Sequence, residues 1–290
     1  MSNAKEIRGQ IKSVKNTQKI TKAMEMVAAS KVRRVQEHMR VSRPYTDNIL
    51  RVIGHLMNAS SHTQHPFLVK PEKIEKVGYI LVSTDRGLCG GLNINLFKLF
   101  LKKVQEDQAA GRKIIVSVFG RKGVSFLTQV GIEILSTVEN YPEMPEIQHI
   151  IGGALPMIRA FQNNEVQQVK IVSNYFVNAM TQEPRVEQLL PASINHDDGL
   201  HAKEHSWDYL YEPSPEAILD KLLRRYIEST IKQAVLENIA SEMSARMIAM
   251  KNASDNAGNL ISELQLKYNK ARQAAITQEL TEIVAGADAV

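Results

Sequence analysis

The sequence predicts an α/β fold in which two long terminal helices flank an inserted Rossmann-like α/β domain. From about Pro215 to Gly286 there is no further proline, and Gly258 is the only interior glycine. Apolar and small side chains recur there every three or four residues, the spacing of a helix in a left-handed coiled coil. At 1.5 Å per residue this helix is roughly 105 Å long, so it needs a partner of similar length. The middle of the chain alternates apolar runs with helical segments, as α/β domains do.

The predicted seam of the C-terminal helix is a continuous row of apolar and small side chains. It consists of Leu219, Leu222, Tyr226, Ser229, Gln233, Leu236, Ala240, Met243, Met247, Met250, Ser254, Ala257, Ile261, Leu264, Tyr268, Ala271 and Ala275. Residues 275–290 should extend beyond the partner helix as a single exposed helix. That helix carries Ile276, Leu280, Ile283 and Val284, so it would be unstable unless another protein enclosed it. The tip therefore implies a sleeve-like partner.

The partner helix is predicted at the N-terminus, over residues 3–57. Asn3 followed by Glu6 resembles a capping box, and helix-forming residues follow. Its seam consists of Ile7, Ile11, Val14, Gln18, Thr21, Glu25, Ala28, Val32, Val35, Met39, Ser42, Thr46, Ile49, Ile53 and Leu56. Ile20, Met24 and Val27 lie on a different face, so this helix should offer a second surface to another molecule.

Proline and the change of period mark the remaining elements. Pro44 should distort the first helix near residues 42–44, because proline removes one backbone hydrogen bond. We predict a linker at 58–75, strands at 77–83, 113–119, 132–135, 169–179 and 185–194, and helices at 94–109, within 120–130 and at 145–163. The last two strands should be antiparallel because their connection is short.

These elements predict four segments. They are an N-terminal coiled-coil helix (1–57), a linker (58–75), a Rossmann-like α/β domain (76–208) and a C-terminal coiled-coil helix (209–290). Since both ends are helical and the domain lies between them in the sequence, the two end helices should run antiparallel.

Charge and composition restrict the class of protein. The net charge of +5 is concentrated in residues 1–60, which hold 12 Lys/Arg and 4 Asp/Glu. A basic first helix suits nucleic acid, anionic lipid or an acidic protein surface, although it is also compatible with a solvated helix face. No apolar run is long enough to cross a bilayer, and the N-terminus lacks the features of a signal or transit peptide, which points to a bacterial cytoplasmic protein. A single cysteine, Cys89, excludes an intramolecular disulfide.

The candidate chemical sites are weak. TDRGLCGGLN at 84–93 follows the first strand, but it matches neither phosphate-loop pattern, so structural turn glycines are the better interpretation. Cys89 has no His or Asp pattern of a nucleophile. A metal could be held by His196, Asp197, Asp198, His201 and His205, although Gly and Lys around them favour a mobile loop. We therefore predict no catalytic residue, no metal site and no cofactor bound by this chain.

Four segments carry a specific resemblance. They are KEIRGQIKSVKNTQKITKAMEMVAASKVRR at 5–34, STDRGLCGGLN at 83–93, SWDYLYEP at 206–213 and ARMIAMKNASDNAGNLISELQLKYNKARQAAITQELTEIVAGA at 245–287. They closely resemble the gamma-subunit family of the bacterial F-type ATP synthases, and the resemblance covers essentially the whole chain. It implies a non-catalytic rotor shaft inside a ring of three alpha and three beta subunits, where ATP, ADP and Mg²⁺ are bound.

The resemblance also implies contact residues. Met24, Arg246, Arg272, Gln273 and Thr277 match positions that touch the alpha and beta subunits. Glu279 lies in the same block as the last three of these.

A second group matches the foot of the shaft. Tyr209, Tyr211 and Glu212 match positions that meet the epsilon subunit and the polar loops of the c-ring. The resemblance further implies one copy per complex, no nucleic-acid partner, and a peripheral location on the cytoplasmic face of the bacterial inner membrane.

Two other functions stay open on the residues alone. One is a coiled-coil scaffold whose basic first helix binds nucleic acid or an anionic membrane surface, which steeply salt-dependent binding would support. The other is a nucleotide-dependent enzyme that uses the α/β domain, which measurable affinity of the isolated chain for ATP or NAD would support.

Overall fold

A computed structural model describes residues 2–59, 65–192 and 214–287. Two compact units are present, one formed by Met1–Ser30 with Arg246–Val290 and the other by Lys31–Ala245. In chain order the elements are α1 (Ser2–Ala59), β1 (Lys76–Val82), α2 (Leu92–Ala109), β2 (Lys113–Phe119), α3 (Arg121–Val130), β3 (Ile134–Val138), α4 (Ile147–Gln162), β4 (Gln168–Phe176), β5 (Gln182–Leu190) and α5 (Pro215–Ala287).

The unit of residues 31–245 contains a five-stranded mixed sheet with the order β3-β2-β1-β4-β5. Strands β1 to β4 run parallel to one another, and β5 runs antiparallel to β4. The β4–β5 turn is short because Asn178 closes it, with its Oδ1 accepting from the backbone N–H groups of Met180 and Thr181 at 2.9 Å each. The predicted α/β fold and the antiparallel last pair are confirmed.

The central strands are buried on both faces, as their continuous apolar runs predict. One face packs with α2 and α3 around Val77, Tyr79, Leu81, Leu96, Phe100, Val104 and Leu127. The other face packs with α4 and with the sections of α1 and α5 that belong to this unit. Its core includes Val35, Ile53, Ile80, Val82, Met157, Ile171, Leu223, Ile231 and Ile239. Helix α5 is therefore part of the core of this unit.

In this unit α5 is buried on more than its predicted seam. A second apolar row, spaced by four residues, is also buried and consists of Leu223, Ile227, Ile231, Val235 and Ile239. Two apolar rows make a wide part of the helix surface apolar, whereas packing against a single coiled-coil partner requires only one such row. The second row is what allows this section of α5 to pack with the sheet and α4.

In the other unit, residues 2–30 of α1 and residues 246–287 of α5 form the predicted antiparallel coiled coil. Ile11, Thr21 and Ala28 are buried on α1, and the buried seam residues of α5 are Met250, Ser254, Ala257 and Leu264. Gln18 Nε2 donates a hydrogen bond to the backbone oxygen of Ser254 at 3.3 Å. Every seam residue whose burial the structure describes, on both helices and in both units, is buried or half-buried.

Several element bounds differ from the prediction. Strand β3 spans Ile134–Val138 instead of 132–135, because Ile132 still belongs to the end of α3, where its N–H donates to the backbone oxygen of Leu127. Gly131 makes this cap with a left-handed φ of 75°. Strand β5 begins at Gln182 instead of 185, directly after the Asn178 turn. Helix α1 continues across Pro44 without a break. The expected distortion near residues 42–44 stays a prediction.

The predicted linker is in part packed against the domain. Phe67 is 1% exposed, and its backbone oxygen accepts from Ala192 N at 2.8 Å. Residues 60–64 and 193–213 lie outside the described part of the chain, and the four predicted segment boundaries stay predictions.

A buried ionic cluster joins α2 to the sheet. The carboxylate of Asp107 accepts from Lys170 Nζ and Arg112 Nη1, each at 2.8 Å, and from the hydroxyl of Tyr79. Burial opposes ionisation of this carboxyl group, but the hydrogen bonds from Lys170, Tyr79 and Arg112 outweigh it and hold the pKa of Asp107 below its usual value. The charged form of Asp107 is therefore favoured in the folded protein.

We predict that Asp107→Asn lowers the free energy of unfolding by about 2 kcal/mol at neutral pH, since Lys170 and Arg112 lose a buried counter-charge. A lowered folded-state pKa contributes stability above the unfolded value near 4 and loses it as pH falls below that value. The difference between wild type and variant, measured by urea unfolding, should thus shrink below about pH 4. Glu106→Gln, on the exposed neighbour, should unfold like wild type. A loss that is independent of pH would contradict this account.

Two adjacent glycines of α4 form a matched pair for a second prediction. A Cβ at Gly153 would overlap Cγ2 of Val138 and lie 3.2 Å from Cζ of Phe119, whereas a Cβ at Gly152 would meet nothing within 4 Å. Alanine at either position gains the same helix propensity, so that contribution cancels in the comparison. Gly153→Ala should be less stable than Gly152→Ala by about 1–3 kcal/mol, measured by urea unfolding. Equal stability would mean that α4 packs less closely on β2 and β3.

Candidate partner-binding surfaces

In parallel sheets, ligands bind outside the carboxyl ends of the strands, where the strand order reverses. Here that position lies between β1 and β4, beside Ser83. The Ser83 backbone oxygen accepts from the Tyr141 hydroxyl at 2.8 Å and from Asn238 Nδ2 at 3.1 Å. Ser83 Oγ donates towards the Phe119 backbone oxygen at 2.8 Å and accepts from Gly123 N at 2.8 Å. The polar groups of Ser83 are thus satisfied by the protein itself.

Helix α5 occupies this position. Asn238 and Asn174 are both fully buried, and Asn174 Nδ2 donates to Asn238 Oδ1 at 2.8 Å. Burial, with smaller contributions from the charges of Glu242 and Asp85, raises the pKa of Tyr141, so its hydroxyl stays protonated and donates to Ser83. The place where a doubly wound domain would hold a nucleotide is therefore filled by an asparagine of its own chain.

The loop at 84–93 is closed by its own side chains. Asn93 Nδ2 donates to Thr84 Oγ1 at 2.7 Å, and Thr84 Oγ1 donates to the Arg86 backbone oxygen at 2.7 Å. Leu88 and Gly90 adopt positive φ values of 63° and 60°, as a tight turn requires. Cys89 is buried, with 2% of its surface exposed. These contacts agree with the predicted structural role of the glycines.

The described part of the chain contains neither a metal-binding cluster nor a membrane-spanning helix. His196, Asp197, Asp198, His201 and His205 lie outside the described residues. Within residues 2–59, 65–192 and 214–287, no group of three or more His, Cys, Asp or Glu side chains is arranged to hold a metal ion. None of the helices in that part of the chain combines the length and apolar character needed to span a bilayer.

The tip of α5 is the most exposed surface of the coiled-coil unit. From Arg272 to Ala285 every side chain except Ala275 is exposed. Four large apolar side chains are included, with exposed fractions of 43% for Ile276, 57% for Leu280, 67% for Ile283 and 59% for Val284. An apolar helix surface of this kind marks a binding site for another protein.

The residues predicted to touch the alpha and beta subunits fall into two groups. Arg272, Gln273, Thr277 and Glu279 are all exposed on this tip. Arg246 is only 9% exposed and so offers little surface to a partner.

A second surface lies on α1 in the same unit. Ile20 is 60% exposed and Val27 is 54% exposed, and Met24 beside them is half-buried. This is the off-seam face that the sequence indicates. Tyr209, Tyr211 and Glu212, predicted to form the foot, lie outside the described residues.

Sequence reasoning did not find the polar cluster of Ser83, Tyr141, Asn174 and Asn238. The sequence signal was weak, because Asn238 follows Glu237 and is one of two polar residues between Ala234 and Ala240.

Comparisons with known proteins place the chain in one family. The sequence model of a family described as ATP synthase matches residues 3–290. The ATP synthase gamma chain of Dichelobacter nodosus (strain VCS1703A) is 68% identical over 290 residues, which is 100% of both chains. The ATP synthase gamma chain of Glaesserella parasuis serovar 5 (strain SH0165) is 54% identical, again over 100% of both chains.

Solved structures share the fold. A chain of the Euglena gracilis mitochondrial ATP synthase, in a structure of OSCP/F1/c-ring in rotational state 3, superposes with a TM-score of 0.72 at 24% identity, covering 99% of this chain and 94% of its own. A chain from the central stalk and c-ring of the Tetrahymena thermophila mitochondrial enzyme gives a TM-score of 0.57 at 24% identity, covering 81% and 99%.

The closed loop leads to a prediction about thiol reactivity. Asn93→Ala removes the hydrogen bond to Thr84, so the loop should open more often and Cys89 should react about tenfold faster with a thiol reagent. The readout is unambiguous because Cys89 is the single cysteine. Asn95→Ala, at an exposed position of the same helix, should label at the wild-type rate. Equal rates for both variants would show that the loop does not depend on Asn93.

Proposed function

The chain belongs to the ATP synthase gamma-chain family, and from this premise we propose that it is the central shaft that couples c-ring rotation to the three catalytic sites of an alpha3beta3 ring. The observation that carries the proposal is the tip of α5, from Arg272 to Ala285, with its four exposed apolar side chains. A single helix with such a surface is stabilised in water when a partner surrounds it. A ring of subunits that closes around the tip meets this requirement.

The chain is a non-catalytic subunit. Its sheet edge is covered by Asn238, and the loop at 84–93 is closed, so the place where related folds hold a nucleotide is occupied by the chain's own side chains. We assign ATP, ADP and Mg²⁺ to the partner alpha and beta subunits. This chain then contributes stiffness and asymmetry.

Asymmetry is what allows a shaft to drive three sites. One helix pair in a threefold ring presents a different face to each beta subunit, which biases each site towards a different conformation. On α1 the face around Met24 carries exposed Ile20 and Val27, and on α5 the tip carries exposed Arg272 and Glu279. Rotation exchanges these faces among the three sites and takes each one through binding, synthesis and release.

The foot of the shaft completes the proposal. Tyr209, Tyr211 and Glu212 contact the epsilon subunit and the polar loops of the c-ring, and proton flow through that ring turns the chain. One copy per complex then sits at the cytoplasmic face of the bacterial inner membrane as a peripheral subunit.

Reconstitution tests the function. Alpha and beta subunits are mixed with and without this chain, and ATPase turnover and the mass of the product are measured. One stable complex with one copy of the chain and sustained turnover is expected. A chain that elutes alone and leaves the turnover unchanged would overturn the proposal.

The tip provides a prediction within that assay. Leu280→Asp should weaken binding to the alpha and beta subunits about 10- to 100-fold, since it removes a side chain whose burial is worth about 1.5–3 kcal/mol. The control, Gln278→Asp, adds the same charge at a polar exposed position and should bind within about threefold of wild type. Equal binding of both variants would mean that apolar contact at Leu280 contributes nothing to the assembly.

A further inference from the structure

Asn238 is a fully buried amide of α5, and the side chains around it on the helix, including the adjacent Glu237, are also buried. Val235, Leu236, Ile239 and Ala240 around it are all buried. A polar group in such surroundings is costly unless it is hydrogen-bonded. Its two bonds, to the Ser83 backbone oxygen and from Asn174 Nδ2, join α5 to β1 and β4 across sequence separations of 155 and 64 residues.

The two bonds fix one setting of α5 against the sheet. Apolar rows alone tolerate small rotations and slips, because dispersion contacts are non-directional and can be exchanged for similar ones. A buried amide does not tolerate them, since a turn by one residue or a slip by one helical turn leaves both Asn238 and Asn174 without partners. A single buried asparagine sets the register of coiled coils by the same physics.

Further contacts around Asn238 and Asn174 also hold α5 in this position against the sheet. Tyr141 donates to the same Ser83 oxygen, and Ser241, one turn along α5, donates to the Asn174 backbone oxygen at 3.4 Å. Glu143, two residues after Tyr141, forms an ion pair with Lys31 on α1. The loop after β3 thus contacts α1 and the cluster that holds α5.

We infer that Asn238 is a positioning residue that locks the rotation and register of α5 against the β1–β4 edge, so that the sheet and this section of α5 turn as one body under load. The inference rests on the proposed rotary function, because the load that the lock resists is the torque of a rotating chain. Asn174 is its partner, and the Ser83 backbone oxygen is the acceptor on the sheet.

The main test is the double variant Asn174→Leu/Asn238→Leu in the complete ATP synthase in inverted membrane vesicles. Replacing both members of a buried pair by apolar groups of similar shape retains packing while it removes the directional bonds. We expect ATP hydrolysis within twofold of wild type, but at least a threefold loss in protons pumped per ATP hydrolysed. An unchanged ratio of protons to ATP would overturn the inference.

The control is Ser244→Ala. Ser244 lies on the same helix and is fully buried, and its Oγ has no hydrogen-bond partner among the described residues. This change removes a buried hydroxyl without removing a bond, so pumping per ATP should equal that of wild type. A drop as large as in the double variant would show that coupling responds to any change in this core, and would also overturn the inference.

A second variant decides the question if the double variant fails to assemble. Asn238→Asp has the shape of the amide, but its carboxylate cannot donate to the Ser83 oxygen. A protonated carboxyl group can, and full burial raises the pKa of this group, so pumping per ATP should match wild type at low pH and fall as the pH rises through that raised pKa, relative to wild type at each pH. A ratio that still equals wild type after this carboxyl group has lost its proton, or a deficit that does not change with pH, would contradict the lock. Failure of the wild-type chain to couple at all would instead remove the proposed function.

Discussion

The need to cover one helix of 73 residues shapes the rest of the molecule. Where α5 packs with the sheet and α4, it carries two buried apolar rows, and its section from Leu219 to Ser244 belongs to a domain core. Where it pairs only with α1, a single row is buried, and most of the exposed side chains are polar, with Leu260 and Leu266 as exceptions. From Arg272 to Ala285, every described side chain except Ala275 is exposed, and the large apolar side chains are open to solvent. The fraction of the α5 surface that is buried therefore falls from its N-terminal section to its tip, and the number of buried apolar rows falls from two to one to none.

Periodicity predicted most of the architecture, because burial acts on every third or fourth residue of a helix and leaves a repeating signal. Both seams could be assigned from the sequence, and β2 was predicted with its observed bounds, Lys113–Phe119. The errors occurred where local hydrogen bonding replaces periodicity. The start of β3 was misplaced because Ile132 completes the cap of α3, and the start of β5 because Asn178 closes a tight turn.

The polar cluster at the sheet edge left no such signal. Asn238 is satisfied by residues 64 and 155 positions away, and one sequence contains no record of which distant segments pair. A Rossmann-like topology alone would predict a small-molecule site at this edge of the sheet. In this chain the crevice is filled by Asn238 and its hydrogen-bond partners. The predicted contact residues of the tip could be named by resemblance alone. Exposure then separates Arg272 and Thr277, which are open to a partner, from Arg246, which is largely covered.

The pairing of the two chain ends has a consequence during synthesis on the ribosome. Gln18 on α1 meets Ser254 on α5, 236 residues later. At about 5–20 residues per second, the seam of α1 waits roughly 10–50 s for its partner to be made. The sheet strands, which lie between them in the sequence, are made in that interval and can pack with α1 after residue 30, but the seam of residues 2–30 waits for α5. A nascent chain of this design therefore displays an uncovered apolar stripe for most of its translation, and this is the period in which it depends most on chaperones.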